Sequence, residues 1–103
     1  MNLEKFIIES HKNNEYFIRP RIYCNDGFYM SVQGSKGHYC SPRENVKYYT
    51  SLEVGYPSEK VDEFMKYAEN KHQPTDTVYG WVPSETIQEV IDQHGGIDVN
   101  KTF

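Results

Sequence analysis

An α+β fold is predicted for this 103-residue chain by three observations. FIRPRIYC (17–24) and FYMSVQ (28–33) alternate apolar and polar residues on either side of Asn25-Asp26-Gly27, which is the pattern of a hairpin with one buried face. VKYYTSLEVGY (46–56) alternates in the same way. The second half then reads strand end, Pro-Ser-Glu, helix, twice over, in VGYPSEKVDEFMKYAE (54–69) and YGWVPSETIQEVIDQH (79–94). The expected architecture is about four mainly antiparallel strands with two helices packed on one face. It occupies a single domain over 17–97, with an extension or short helix over 1–16 before it and a tail over 98–103 after it.

Taken in order, NLEKFIIES near the start reads either as a short amphipathic helix capped by Asn2 or as a loose extension. In the hairpin, register decides the turn. A two-residue Asp-Gly loop sets Cys24 against Tyr29 and mixes the faces. A three-residue Asn25-Asp26-Gly27 loop sets Cys24 against Phe28, Ile22 against Met30 and Pro20 against Val32, with Gly27 in the left-handed position. In 46–56, Val46, Tyr48, Thr50, Leu52 and Val54 form one expected face and Lys47, Tyr49, Ser51 and Glu53 the other. Each helix begins at a serine, Ser58 or Ser84, read as an N-cap. Val61, Phe64, Met65 and Ala68, and again Ile87, Val90, Ile91 and His94, recur at helical spacing. Gly95-Gly96 stops the second helix. TDTVYGWVP (75–83) is the strand between, with Val78, Gly80 and Val82 assigned to the core.

That assignment leaves the opposite sheet face to be explained. It is expected to show Arg19, Arg21, Tyr23, Tyr29, Ser31, Gln33, Lys47, Tyr49, Tyr79 and Trp81. Three accounts compete. Aromatic pairs across strands stiffen a sheet by ~0.2–1 kcal/mol each. Tyr, Trp and Arg also anchor interfaces, with a second copy or with another protein. Open sheets with aromatics and cations also bind nucleic acid or nucleotides by stacking and phosphate contact. The candidate partner-binding residues are Arg19, Arg21, Tyr23, Tyr29, Tyr49, Tyr79 and Trp81. Composition bears on the choice. Aromatics reach 15% with nine tyrosines, so half-wet aromatic surface is expected. The formal net charge of −4 disfavours broad nucleic-acid binding.

Cys24, His38 and Cys40 are the residues most suggestive of chemistry. A zinc site needs four ligands, and the strong spacings are paired CxxC knuckles. Here thirteen residues separate Cys24 from His38 and one separates His38 from Cys40, and a fourth ligand, His94 for example, would have to come from a helix. The favoured reading is two small buried hydrophobes at the root of a hairpin, with neither metal nor disulfide. No GxSxG, HExxH or GxGxxG motif is present, and the expectation is a protein without a catalytic site or cofactor. The start, MNLEKFIIESHKNNEYF, lacks the charged, apolar, small-residue order of a secretory leader. No run approaches the ~20 apolar residues of a membrane span. A reducing cytoplasm is therefore the expected compartment.

FIRPRIYCNDGFYMSVQGSKGHYCSPR and VYGWVPSETIQEVIDQHGGI resemble small bacteriophage-encoded proteins of unassigned function. The resemblance covers most of 17–97 and brings no catalytic residues. It implies a context, the host cytoplasm, and a role: a non-enzymatic inhibitor of host defence machinery of the anti-CRISPR kind. The implied partner is a host protein complex or a second copy of the chain.

Overall fold

The computed structural model describes residues 1–13 and 17–103. The start of the chain is helical: α1 spans Leu3–Ser10, and Asn2 caps it by accepting the Lys5 N–H at 2.9 Å. Leu3, Phe6, Ile7 and Ser10 form its buried stripe. Leu3 N–H also donates to Gln88 Oε1 at 2.6 Å. Of the expected segment 1–16, residues 14–16 lie outside the described residues.

The hairpin turns through three residues. β1 (Ile22–Tyr23) pairs antiparallel with β2 (Tyr29–Gln33), Ile22 opposite Met30 and Tyr23 opposite Tyr29. Cys24 N–H reaches the Phe28 carbonyl at 2.7 Å and Gly27 N–H returns to the Cys24 carbonyl at 3.0 Å. Gly27 takes φ +98°, where a Cβ would be strained. The ladder does not extend to the expected Pro20–Val32 pair. Pro20 has no N–H to give, and side-chain bonds take over. Arg19 N–H donates to Gln33 Oε1 at 2.8 Å, and Gln33 Nε2 donates to the Arg19 carbonyl at 2.9 Å.

β3 (Ser51–Gly55) and β4 (Val78–Pro83) complete a four-stranded antiparallel sheet in the order β1-β2-β3-β4. Two expected face assignments are corrected here. β3 begins at Ser51 rather than Val46, and upstream of it Tyr49 turns inward while Tyr48 turns out. In β4, Leu52 pairs with Val82 and Val54 with Tyr79, so Gly80 and Trp81 together stand against Glu53. This bulge makes Tyr79 and Val82, three residues apart, share the core side. Tyr79 is thus fully buried, and Gly80 does not face the core as expected.

The helices also depart from expectation in detail. Ser58 caps nothing: its Oγ accepts the Tyr29 N–H at 3.0 Å and its own N–H donates to the Tyr29 carbonyl at 2.8 Å. At the far end Glu69 N–H donates to Val78 at 3.0 Å, and Ala68 forms a bridge with Tyr79. Between those two tethers lies a 3-10 helix, Asp62–Tyr67, instead of the expected α-helix over 58–69. A 3-10 helix rises ~2.0 Å per residue against ~1.5 Å for an α-helix, so it spans the gap with fewer residues. α2 (Ser84–Gln93) is the expected helix, but its cap is Pro83. Ser84 instead ties the helix start to the chain before β3, donating to the Thr50 and Tyr49 carbonyls at 2.9 and 2.8 Å. Gly95 and Gly96 follow with φ +86° and +87°. The tail carries a last turn, α3 (Val99–Thr102), capped by Asp98 and laid beside β1.

One core results, in which Phe6, Ile22, Met30, Val32, Leu52, Phe64, Val82, Ile87 and Ile91 are all buried. Each is worth ~1.5–3 kcal/mol against exposure. No helix among the described residues is long and apolar enough to cross a membrane. Among the glycines the closest packing is at Gly34, where an added Cβ would stand 2.7 Å from Leu52 Cδ2 and 2.8 Å from Tyr49 Cζ. Gly34→Ala is expected to lose ~1–3 kcal/mol, read as a lower urea midpoint with an unchanged slope.

Candidate functional site

On β2, Tyr29, Ser31 and Gln33 alternate onto the side away from the core, and Ser31 lies opposite Gly55 and Gln33 opposite Glu53. This outer face divides the predicted residues into those it gathers and those it does not. Tyr23 and Tyr29 face each other across the β1–β2 pair with ring centroids 5.5 Å apart. The Arg21 guanidinium lies over the Tyr29 ring at 4.8 Å. Lys101 Nζ lies over the Tyr23 ring at 5.9 Å. The tail puts Lys101 there, because Asp98 N–H donates to the Tyr23 carbonyl at 2.8 Å and Thr102 Oγ1 accepts the Tyr23 N–H at 3.1 Å. Both tyrosines are half-buried and both cations are exposed.

A second cluster occupies the other end of the face. Tyr39 N–H donates to Glu53 Oε1 at 3.1 Å, and the Tyr39 ring meets Trp81 at 4.9 Å. Arg43 lies over Tyr39 at 5.4 Å. Trp81 is 50% exposed and adopts φ +53°, a left-handed conformation that costs a residue with a Cβ ~1–2 kcal/mol. Tyr39 also explains why Gly80 is a glycine: a Cβ there would approach Tyr39 Cβ to 3.3 Å.

Three predicted residues are not on this face. Tyr79 is 0%, Arg19 2% and Tyr49 4% exposed. The Arg19 side chain turns inward once the ladder stops at Ile22. Its Nη1 donates to the Gly34 carbonyl at 2.5 Å, its guanidinium lies over Phe17 at 4.7 Å, and burial holds its pKa below the usual range. The Tyr49 hydroxyl donates to the Glu44 carbonyl at 2.5 Å, and the Tyr79 hydroxyl donates to the Pro74 carbonyl. Gln33 is buried and Ser31 half-buried. Lys47 stands elsewhere, at a cleft of about 270 Å³ between the starts of α1 and α2, walled by Leu3, Ile7 and Leu52 and rimmed by Glu85 and Gln88. Tyr39, Arg43 and Lys101 were not among the predicted residues. Lys101 meets Tyr23 from 78 positions along the chain, and no local pattern marks such a contact.

Cys24 and Cys40 are both free and buried. Burial pushes the Cys24 thiol up to about 11, with Asp26 adding to it, and burial raises Cys40 as well. His38 Nδ1 is 2.6 Å from Ser35 Oγ, which also accepts the Gly37 N–H at 3.0 Å. That pairing closes a tight turn. Burial pulls the His38 pKa down, and Arg19 and Arg43 add to this against the opposing pull of Glu53. His94, the C-cap of α2, holds the hairpin turn. Its Nδ1 is 2.6 Å from Asp26 Oδ2, its ring stacks on Phe28 at 4.1 Å, and Asn25 N–H reaches the Gly96 carbonyl at 3.0 Å. No family model, no curated protein and no solved structure matches the chain. What the side chains can do is therefore argued from their chemistry alone.

Two measurements check these environments. Thiols with raised pKa values are poor nucleophiles at neutral pH, so Cys24 and Cys40 should react with a thiol reagent only slowly in native protein and fast in urea. The Asp26 carboxyl is held below its ordinary range by the Phe28 N–H and then by His94. A lowered folded pKa gives stability that is present above the unfolded value and lost as pH falls through the folded one. The urea midpoint should therefore drop from about pH 4 downward, and Asp26→Asn should flatten that part of the profile.

Proposed function

We propose that this chain is a small non-enzymatic binding protein whose outer sheet face docks on a protein complex, and that its role is to inhibit host defence machinery in the anti-CRISPR manner. The observation that carries the binding reading is the placement of cations on aromatic rings at both ends of the face that the helices leave uncovered. Arg21 and Lys101 flank Tyr29 and Tyr23, and Arg43 stands beyond the Tyr39–Trp81 pair. Aromatic and arginine side chains are the usual anchors of protein interfaces because they bury large area at low entropic cost. The backbone at Trp81 favours the same reading, since the bulge that buries Tyr79 leaves the Trp81 ring half in solvent, where a partner can reach it. The host, the defence target and the cytoplasmic setting rest on the resemblance to phage proteins.

A nucleotide or nucleic-acid role is the second reading, and the half-exposed ring of Trp81 against Tyr39, which itself carries Arg43, favours it. Salt separates the two. Phosphate contacts weaken steeply as salt rises, whereas a packed interface does so far less.

The test uses capture of the host complex by the tagged chain, with sedimentation of the free protein first to show whether a second copy occupies the face. Trp81→Gly removes the ring and relieves the φ, so thermal stability should stay level or rise. Binding should fall by ~2 kcal/mol, about 30-fold. Arg21→Glu should do the same from the other end. If both variants remain folded and lose neither partner nor self-association, the face is structural and the proposal fails.

A further inference from the structure

Arg21 and Lys101 carry a second consequence. Among the described residues Lys5 pairs with Glu9 and Lys60 with Asp62, and the acids Asp26 and Glu59 stand at the His94 ring. Among those residues neither Arg21 nor Lys101 forms an ion pair with a carboxylate. Asp98, three residues before Lys101, uses its Oδ1 to accept the Lys101 backbone N–H at 3.2 Å. Two exposed cations thus stand without an acidic partner among the described residues, on a chain whose formal net charge is −4. They are held by ring contacts, Arg21 over Tyr29 at 4.8 Å and Lys101 over Tyr23 at 5.9 Å.

A guanidinium lying over a ring keeps its in-plane N–H donors free, and those donors match the fork of a carboxylate. Holding the cations on rings also reduces the side-chain freedom lost on binding. The same arrangement works against base stacking. Tyr29 is covered by Arg21 and meets Tyr23 at its side, and Tyr23 is covered by Lys101, so an incoming base must first displace a cation.

We propose that the Arg21–Tyr29–Tyr23–Lys101 cluster receives an acidic, carboxylate-bearing segment of a protein partner. This rests on the reading of the outer face as a protein-docking surface and names the chemistry the partner must bring to it.

The experiment titrates the isotope-labelled full chain with a short poly-glutamate peptide and, in parallel, with an oligo(dT) of equal net charge, following backbone and side-chain shifts. The peptide should move the signals of Arg21, Tyr23, Tyr29 and Lys101. Affinity should fall about tenfold or more in the Arg21→Glu, Lys101→Glu double variant, whose spectrum should otherwise overlay that of the parent. No response to the peptide, a response centred elsewhere, or tighter binding of the oligonucleotide overturns the inference. If the peptide fails while Trp81→Gly and Arg21→Glu still abolish capture of the host complex, only the acidic-partner inference falls. If those variants capture normally, the docking surface itself falls.

Discussion

The two-against-one pairing of Gly80 and Trp81 with Glu53 is the constraint on which most of the structure turns. A regular β4 would put Tyr79 and Trp81 on one side and Val78, Gly80 and Val82 on the other. The extra residue lets Tyr79 and Val82 both point inward, and the core is built on that pair. Phe64 of the 3-10 helix packs on Tyr79 at 5.9 Å, and Ala68 and Glu69 are tied to β4 beside it. Beyond the bulge the strand runs directly into α2, whose first residue, Ser84, pins the approach to β3. The strain at Trp81, ~1–2 kcal/mol, is offset by the burial of a whole tyrosine ring and by the Tyr39–Trp81 contact, worth ~0.5–1.5 kcal/mol. One local irregularity thus sets both the core and the exposed aromatic.

What was legible in the sequence follows from how local each cause is. The three-residue hairpin turn could be read because its alternatives differ within ten residues and only one keeps like facing like. The α1 cap and the Gly95-Gly96 stop are similarly local. The face of β4 was not legible, because alternation is the only signal and a bulge resets it without leaving a mark in the pattern. The 3-10 helix was missed for a different reason. Val61, Phe64, Met65 and Ala68 have helical spacing, but the tethers at Ser58 and Glu69 stretch the segment, and both tethers lie on other strands.

The tyrosine surplus shows the same division. The surplus predicts aromatic surface, and the tyrosines in fact serve two roles. The Tyr49 and Tyr79 hydroxyls each donate to the carbonyl five residues earlier, Glu44 and Pro74, so the buried rings close their own loops and leave no orphan hydroxyl. Tyr23 and Tyr29 make no such clasp. They carry cations instead. For the candidate site this means that Arg21, Tyr23, Tyr29 and Trp81 were recoverable from alternation, whereas Arg19, Tyr49 and Tyr79 were not excluded by it. Lys101, Tyr39 and Arg43 are brought in by tertiary contacts alone.

A cation placed on an aromatic ring differs in consequence from one placed on a carboxylate. An ion pair neutralises the charge it fixes, and a partner must break that pair before it can use either group. A cation–π contact, worth ~0.5–1 kcal/mol at an exposed site, fixes the charge without neutralising it. On the outer face Arg21, Lys101 and Arg43 are all held in the second way. Glu53, a carboxylate that reaches this face, has an oxygen occupied by the Tyr39 N–H. His94 is treated oppositely, with Asp26 on one ring nitrogen and Glu59 at 4.0 Å from the other. At the hairpin turn the chain sets an imidazole between two acids. Where it leaves a charge on the open sheet, it supports it on a ring, and the charge stays available for whatever docks there.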